Sequence, residues 1–379
     1  MSASQPVPQT PAPPAQEPEP MTFGLVGAYD EPILAEFAGG LRRVFERHGH
    51  RYEEGPEADW RLVFHFVDPQ RPRAFRRKAK ATFVVAVALA PQPPTDVLRA
   101  AYPLLVRSLA NLCIYLVRGD EGLRVYFVTL EQGHFPIDGG RGDERFERIY
   151  EKLQPLASSQ LVIDNEFHPD LPEDLWEGDD RTRELAAAGR RLDALGLLPA
   201  PFPIHELLEE RDLRHIELLY GIGGLSYGNL STRKDTGRFW MSASGVDKAN
   251  MRVIGRDILL VKGYDPQRQV ILLSVPPHVK PRRVSVDAIE HWMIYAEHPT
   301  VHAIVHVHAW MEGVRSTTVN YPCGTLQLAQ AVAELVRRAP DPGRAVVGLK
   351  NHGLTITGPT LSDILDRLEA GFIRQVPMT

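Results

Sequence analysis

The sequence predicts an α/β protein with two successive folded parts. With 379 residues, the chain exceeds the roughly 100 to 200 residues of a typical domain. Hydrophobic residues make up 43% and charged residues 24% of the chain, which is ordinary for a globular protein. Short apolar runs alternate with amphipathic stretches, and this alternation is typical of strands and helices packed in layers.

The composition excludes several classes of function. The formal net charge of -5 repels polyanions, so nucleic-acid binding is not expected. The chain has two cysteines, Cys113 and Cys323, which are too few for a disulfide framework or a cysteine zinc cluster and favour a reducing, cytoplasmic setting. No segment reaches the roughly 18 uninterrupted apolar residues of a membrane span, so no membrane interaction is expected.

Residues 1–20 are predicted to be a disordered tail. They contain seven prolines and neither Lys nor Arg, and they therefore lack the basic and apolar regions of a secretory signal. Such a segment buries too little apolar surface to offset its ordering entropy, and it samples extended conformers. A docking motif for a proline-recognising partner is the alternative.

Residues 21–170 are predicted to form an N-terminal α/β domain. Short apolar runs at 22–27, 61–67, 81–90 and 123–130 alternate with amphipathic stretches such as 32–48 and 97–117, as in an α/β sandwich. Because GLVGAYD after the first strand does not match GxGxxG, a simple turn is favoured over a phosphate site. Six basic side chains lie within 71–80, and a solvated face is favoured there over a phosphate or partner patch. Oligomerisation, regulation or partner binding is predicted for this domain.

A surface linker is predicted at 171–180, followed by a catalytic domain at 181–379. The sequence around the linker, NEFHPDLPEDLWEGDD, is acidic and contains proline, which is typical of a loop. Helices are predicted at 181–195 and at 204–220, separated by the break LLPAPFP.

A histidine pair in the C-terminal part indicates a metal site. The run AIVHVHA contains His306 and His308, and the period of two in a strand sends both imidazoles to one face. His352 follows a further apolar strand, in GLKNHG. Three neutral imidazoles suit Zn²⁺ or a similar divalent transition metal and leave positions for substrate oxygens. The alternative is that these histidines are ordinary structural residues.

Asp287 is the carboxylate expected beside these histidines. The segment 285–297 is predicted to be helical, with Asp287, His291 and Ile294 on one face, and it leads directly into the histidine strand. Asp287 is therefore expected to reach the metal, as a ligand at rest and as a general base when substrate displaces it. His291 is interpreted as structural.

Two turns rich in small residues lie upstream. GGLSYGNLSTR at 223–233 and WMSASGVDK at 240–248 offer backbone N–H groups and hydroxyls that suit an anion. Glycine-rich turns more often only reverse the chain, so anion binding is one of two interpretations.

The two turns, the Asp287 helix and the histidine segments follow one another along the chain in an order that resembles the class II aldolase/adducin family over about 181–375. The resemblance rests on the motifs GNLS, SASG, SVDAIEHWMIY, HVHA, GTLQLA and KNHGLTITG. It implies a three-layer α/β/α domain with a central, mainly antiparallel sheet. It also implies a divalent metal, first Zn²⁺ with Mn²⁺, Fe²⁺ or Co²⁺ as alternatives, and a homo-oligomer, a tetramer with active sites between subunits.

The resemblance assigns roles to individual residues. The metal ligands fall on His306, His308 and His352, and the acidic catalytic residue falls on Asp287. The substrate pocket carries over to five positions, which are Gly228, Asn229, Ser244, Gly245 and Ser285.

Three departures from the family pattern bear on the substrate. Asp287 stands where the aldolases have a glutamate and is one methylene shorter. Val286 replaces the second serine of the phosphate-binding pair, which suggests a smaller or less anionic substrate than a sugar phosphate. The tyrosine that donates a proton in the aldolases has no clear match, and Tyr321 in NYPCGT is the nearest candidate.

The resemblance implies a metal-dependent lyase of aldolase type. It would make or break a C–C bond in a small hydroxy-carbonyl or sugar-phosphate-like substrate through a metal-stabilised enediolate. A dehydratase or an epimerase uses the same enediolate. An adducin-like binding module without catalysis is the alternative from another class, and it predicts loss of the metal-binding histidines. Cys323 is interpreted as a small buried residue rather than a nucleophile.

Overall fold

The computed structural model describes residues 20–55, 59–79, 82–120, 122–198, 202–220 and 228–378. The predicted disordered tail lies outside these residues except for Pro20. The described residues form two β-sheets, each contacted by helices. None of the described helices is long and apolar enough to cross a lipid bilayer.

The first sheet has seven strands within the described ranges. In chain order they are β1 (Thr22–Gly27), β2 (Arg51–Tyr52), β3 (Leu62–Phe66), β4 (Phe83–Leu89), β5 (Leu112–Gly119), β6 (Gly122–Thr129) and β7 (Gly133–Pro136). The order across the sheet is β2-β1-β3-β4-β5-β6-β7, with parallel pairing as far as β5 and antiparallel pairing beyond it. The parallel part has the strand order of a doubly wound α/β fold.

Apolar cores lie on both faces of the first sheet. Helices α1 (Pro32–Arg47) and α3 (Asp143–Ser158) contact each other, and α2 (Val97–Arg107) packs elsewhere, against β5 and β6. Strand β4 serves both cores, because Val85 packs in the core that contains α1 and α3 whereas Val84 packs in the core that contains α2. This two-sided burial explains the continuous apolar run of β4.

The stretch 97–117, predicted as one amphipathic segment, is instead a helix followed by a strand. Helix α2 ends at Arg107, and Leu109 adopts a left-handed φ of 52°, which interrupts the right-handed helix. The apolar and aromatic run from Leu112 then pairs with β4 and β6, in keeping with the strand preference of such residues.

The second sheet has nine strands among the described residues. In chain order they are β8 (Asp164–His168), β9 (Asn229–Asp235), β10 (Arg238–Ser242), β11 (Ile258–Asp265), β12 (Val270–Ser274), β13 (Ala303–Val307), β14 (Arg315–Ser316), β15 (Val346–Leu349) and β16 (Gly353–Gly358). The order across it is β14-β15-β16-β13-β9-β10-β11-β12-β8. All neighbours pair antiparallel except the outer pairs β14–β15 and β12–β8.

Helices sandwich the second sheet. The helices after α3 are α4 (Asp180–Ala194), α5 (Ile204–Leu207), α6 (Glu210–Tyr220), α7 (Ala288–Glu297), α8 (Leu326–Arg337) and α9 (Leu361–Glu369). Helix α4 packs with α9, and α7 packs with α8. The mainly antiparallel sheet between these helices, preceded by a separate α/β sheet, confirms the predicted fold class.

The chain passes between the two sheets more than once. Strand β8 is an edge strand of the second sheet, although it precedes the predicted linker. Helices α5 and α6 follow that linker but contact α2 beside the first sheet. The predicted domain limits, 170 and 181, stay a prediction.

Candidate metal centre

His306 and His308 lie at the centre of the second sheet. Strand β13, between β9 and β16, is fully buried because every residue from Ala303 to Val307 is apolar except His306. His308 directly follows the strand. The two ring centroids are 5.2 Å apart, so both imidazoles point to the same side, as the strand period predicts.

A tight turn between β15 and β16 brings His352 to the same place. The turn includes Asn351 with a left-handed φ of 58°. A Cβ on Gly353 would lie 2.1 Å from the carbonyl oxygen of Val307, so glycine is required for this close approach. The Nε2 atoms of His352 and His308 are 3.0 Å apart, and the three histidines each offer a donor nitrogen within 4.8 Å of the others.

The three imidazoles fit a divalent transition metal. The Nδ1 of His306 is 3.0 Å from the carbonyl oxygen of Leu354. Because a carbonyl only accepts, Nδ1–H must donate and the lone pair belongs to Nε2. This Nε2 is buried and has no hydrogen-bond partner among the described residues, which is costly unless a cation binds it.

The electrostatics keep these imidazoles neutral. Burial lowers the pKa of His306 to about 4 and that of His352 to about 3. Burial lowers the pKa of His308 as well, helped by the neighbouring His352 and His306. Neutral imidazoles with free lone pairs are the form that binds Zn²⁺ and related ions.

Asp287 directly precedes helix α7, which begins at Ala288 rather than at 285 as predicted, and it is buried beside the histidines. Its Oδ2 accepts a hydrogen bond of 2.7 Å from Nδ2 of Asn229, whereas its Oδ1 has no hydrogen-bond partner among the described residues. Burial raises the pKa of Asp287, and the nearby His352, the Asn229 hydrogen bond, the backbone N–H of Gly324 and the nearby Lys248 oppose this rise. Asn229 thus holds Oδ2 of the carboxylate, whereas Oδ1 is available to bind a ligand or a proton.

Strand register places Asn229 beside the metal cluster. Asn229 pairs with His306 across β9 and β13. The preceding Gly228 has a φ of 72°, and a Cβ on it would lie 2.4 Å from the carbonyl oxygen of His306. The structure therefore brings both predicted pocket residues to the histidines and explains the glycine by steric necessity. Residues 221–227 of the upstream turn lie outside the described residues.

The predicted pocket residues Ser244, Gly245 and Ser285 lie on two adjoining segments. The N–H of Ser244 donates to the carbonyl of Arg283, and the N–H of Ser285 donates to the carbonyl of Ser242. Gly245 has a left-handed φ of 63°. The backbone ties these segments together, and their contact with substrate stays a prediction.

Tyr321 is half-buried against the core of the second sheet. Burial raises the pKa of its phenol. It lies two residues before Cys323, whose Sγ is 3.2 Å from Nε2 of His352. Its role as a proton donor stays a prediction. Cys323 is half-buried rather than fully buried, and burial together with the negative charge of Glu131 raises its thiol pKa, which fits the predicted absence of a reactive thiolate.

Lys248 is a residue of the site that the sequence did not single out. It is 2% exposed, and burial lowers its pKa to about 7. Its charge acts on Asp287 and His306, which places it near the cluster. From the sequence SASGVDK alone, Lys248 would be expected on the surface. Its burial is evident only from the packing of the folded protein.

Two further carboxylates were also missed. Glu290 is buried on α7, where its Oε1 accepts from Oγ1 of Thr355 at 2.6 Å. Burial and the charge of Asp287 raise its pKa to about 8. Glu131 comes from the turn between β6 and β7 of the first sheet, and its Oε2 lies 3.9 Å from Nε2 of His352. No sequence motif predicts this contact, because Glu131 and His352 are far apart in the sequence.

The histidine cluster opens into a cavity of about 440 Å³. The second sheet contributes His308 and His352 to its wall, and the turn after β6 contributes Glu131 and Gln132. Arg374, near the end of the chain, also lines it. Small-molecule sites are typically cavities of this size with a few convergent polar groups.

Residues 214–312 match the family model described as Class II Aldolase and Adducin N-terminal domain. This segment is therefore similar to the class II aldolase and adducin family. The match includes Asp287, His306 and His308, whereas His352 lies beyond it. The predicted resemblance is thereby confirmed. A comparison with curated proteins gives no significant match.

The chain is also similar to several solved structures. YgbL from Klebsiella pneumoniae is 18% identical, with a TM-score of 0.34 over 50% of this chain and 84% of that chain. An L-fuculose 1-phosphate aldolase is 19% identical, with a TM-score of 0.34 over 51% of this chain and 83% of that chain. The N-terminal class II aldolase domain of a Thermoplasma acidophilum protein is 14% identical, with a TM-score of 0.33 over 53% and 93%.

Proposed function

We propose that this protein is a metal-dependent lyase of aldolase type, which makes or breaks a C–C bond in a small hydroxy-carbonyl or sugar-phosphate-like compound. One observation carries the proposal: three buried, neutral imidazoles converge within 4.8 Å beside a buried carboxylate that has one unpartnered oxygen. Burying unpartnered polar atoms is costly, so this arrangement favours a metal site over an adducin-like module that has lost its ligands.

His306, His308 and His352 would hold the metal ion, with Zn²⁺ as the first expectation and Mn²⁺, Fe²⁺ or Co²⁺ as alternatives. When bound, the ion supplies a Lewis acid for the negative charge that develops on the substrate oxygens. The hydrogen bond from His306 Nδ1 to the Leu354 carbonyl fixes the ring so that Nε2 faces the site.

Asp287 would move the proton. Its Oδ1 is unpartnered and therefore free to take a proton from substrate or to return one. Asn229 holds Oδ2 and fixes the plane of the carboxylate. In its protonated form, Lys248 would place a buried positive charge near Asp287, which suits a developing negative charge on substrate.

Substrate would enter through the cavity between the two sheets. Gly228, Ser244, Gly245 and Ser285 would hold its anionic or hydroxylated end, and Tyr321 would donate a proton to the leaving group. A homo-oligomer, tetrameric by family resemblance, forms part of this proposal.

The test combines metal content with product analysis. Elemental mass spectrometry of the untagged wild type should find about one equivalent of a divalent metal, and the His306→Ala, His308→Ala double variant should lose it. The loaded protein is then incubated with phosphorylated and unphosphorylated hydroxy-carbonyl compounds. Two carbonyl fragments support a lyase, whereas water loss or inversion at one carbon would replace it with a dehydratase or an epimerase.

Asp287→Asn tests the assigned base. The variant keeps the size of the side chain and its contact with Asn229, but its uncharged amide is a poor proton acceptor. Metal content should therefore be retained while turnover is lost. Full retro-aldol activity in this variant contradicts the assignment, and a wild type that takes up no metal after reconstitution contradicts the proposed function.

A further inference from the structure

Glu131 reaches the metal cluster from the other half of the molecule. It lies in the turn between β6 and β7, whereas the three histidines belong to the second sheet. Its Oε2 is 3.9 Å from Nε2 of His352. Glu131, Cys323 and His352 each offer a donor atom within 4.8 Å of the others, and His352 is shared with the histidine cluster.

The turn that carries Glu131 is firmly anchored. The hydroxyl of Tyr102 donates to the carbonyl of Leu130 at 2.9 Å. On the other side of Glu131, Nε2 of Gln132 donates to Oδ1 of Asn320 at 3.1 Å, which ties the turn to the second half. The position of Glu131 is therefore set by hydrogen bonds on both sides.

The carboxylate itself is directed by Cys323. The Cys323 thiol donates to Oε2 of Glu131 at 3.2 Å, and the same sulfur lies 3.2 Å from Nε2 of His352. Among the described residues, no Lys or Arg forms an ion pair with Glu131. A carboxylate that faces imidazoles without such a partner suits a cation bound between them.

Glu131 shares His352 with the histidine cluster, so a ligand role requires its carboxylate to turn further toward His306 and His308. Two ligands that each lie about 2.0–2.1 Å from a tetrahedral ion are roughly 3.4 Å apart. The 3.9 Å between Glu131 Oε2 and His352 Nε2 exceeds this by an amount that a small rotation of the carboxylate removes. The unpartnered Nε2 of His306 independently marks the place as a ligand site.

We propose that Glu131 is a fourth protein ligand of the ion held by His306, His308 and His352 while no substrate is bound, and that substrate oxygens take its place. This inference rests on the proposed metal site. It gives the N-terminal half a direct part in that site, and it makes metal binding depend on the docking of the β6–β7 turn against the second half.

The experiment measures Zn²⁺ affinity of the full-length protein by competition with a chromophoric chelator. Glu131→Gln keeps the shape of the side chain and removes its charge, and Gln132→Ala is the matched control because it removes the link to Asn320 but leaves the carboxylate. Glu131→Gln should weaken Zn²⁺ binding by at least about tenfold, whereas Gln132→Ala, which loosens the turn but keeps the carboxylate, should weaken it clearly less. The visible spectrum of the Co²⁺-loaded protein should change in Glu131→Gln alone.

Each other outcome overturns the inference. Equal affinity and equal Co²⁺ spectra in Glu131→Gln and wild type show that Glu131 is not a ligand, while the histidine site stands. Equal weakening in Gln132→Ala and Glu131→Gln shows that the turn acts through docking only. A wild type that binds no metal removes the proposed function together with this inference. Circular dichroism checks that both variants fold, and Glu131 is half-exposed, so its replacement leaves no cavity.

Discussion

Asn229 donates a hydrogen bond of 2.7 Å to Asp287, and the same Asn229 pairs with His306 across two neighbouring strands. One residue thus fixes the distance between the proposed base and the proposed metal site. The hydrogen bond occupies Oδ2 of Asp287 and leaves Oδ1 without a partner among the described residues. Asn229 therefore acts through Asp287 in the proposed reaction.

The first prediction removes this hydrogen bond. Asn229→Ala leaves Asp287 free to rotate, so kcat should fall by about 10- to 100-fold while metal content stays near the wild-type value. Steady-state kinetics and elemental analysis check both. Asn250→Ala is the matched control, because Asn250 is exposed and hydrogen-bonds only Asp247 among the described residues. Equal losses in the two variants would contradict the role of Asn229.

The second prediction concerns the close approach of Gly228. Gly228→Ala places a Cβ 2.4 Å from the His306 carbonyl oxygen at a left-handed φ of 72°, so about 1–3 kcal/mol of the free energy of unfolding should be lost. Gly237 also has a positive φ, of 84°, but a Cβ there meets nothing within 4 Å. Gly237→Ala should therefore cost only about 1 kcal/mol. Denaturant unfolding compares the two, and equal costs would show that the contact with His306 is unimportant.

The third prediction is a pH dependence of stability in the metal-free protein. The pKa of Glu290 is raised to about 8 in the folded protein, and in the unfolded chain it returns to its ordinary value of roughly 4.3. Between these two values the folded protein holds a proton that the unfolded chain has lost, so this contribution to stability falls as the pH rises toward 8. Glu290→Gln should therefore lose less stability between pH 6 and pH 8.5 than the wild type.

Chelator-treated protein unfolded by denaturant at both pH values measures this difference. The exposed Glu144 provides the control, because Glu144→Gln should follow the wild type. The buried histidines act in the opposite sense, since their lowered pKa values reduce stability as the pH falls below about 6.5. That loss lies on the acid side and should be the same in the wild type and in both variants.

The fourth prediction concerns the buried Lys248. Lys248→Met fills nearly the same volume and removes the positive charge, so kcat/KM should fall by roughly 10- to 100-fold if that charge stabilises negative charge on substrate. Metal content should not change. Lys262→Met is the control, because Lys262 pairs with the half-exposed Asp170 on the protein surface. A rate close to the wild type in Lys248→Met would remove Lys248 from the mechanism.

The parts of the site that the sequence predicted depend on short-range geometry. His306 and His308 share one side because a strand has a period of two. Asp287 was predicted at the start of a helix, which begins at Ala288. Asn229 was predicted in the substrate pocket from the family motif GNLS. In each case the signal lay within a few neighbouring residues.

The parts that the sequence did not reveal depend on packing between distant segments. Glu131 meets His352 because a hairpin of the first sheet docks on a loop of the second half. The burial of Lys248 follows from the helices around it. The strand β5 was missed because Leu109, just beyond the end of helix α2, turns the chain with a left-handed φ, a conformation that a non-glycine residue rarely signals in advance.

The path of the chain between the two sheets has a consequence for how the protein unfolds. The chain leaves the first sheet for β8 and α4, returns with α5 and α6 to the side of α2, and goes back to the second sheet at β9. Near its end, Met378 packs against the core of the first sheet. Because of these crossings, each half contains segments from both sides of any single cleavage point, so we expect that one proteolytic cut does not separate two folded domains. We also expect heat or denaturant to unfold both halves in one cooperative transition.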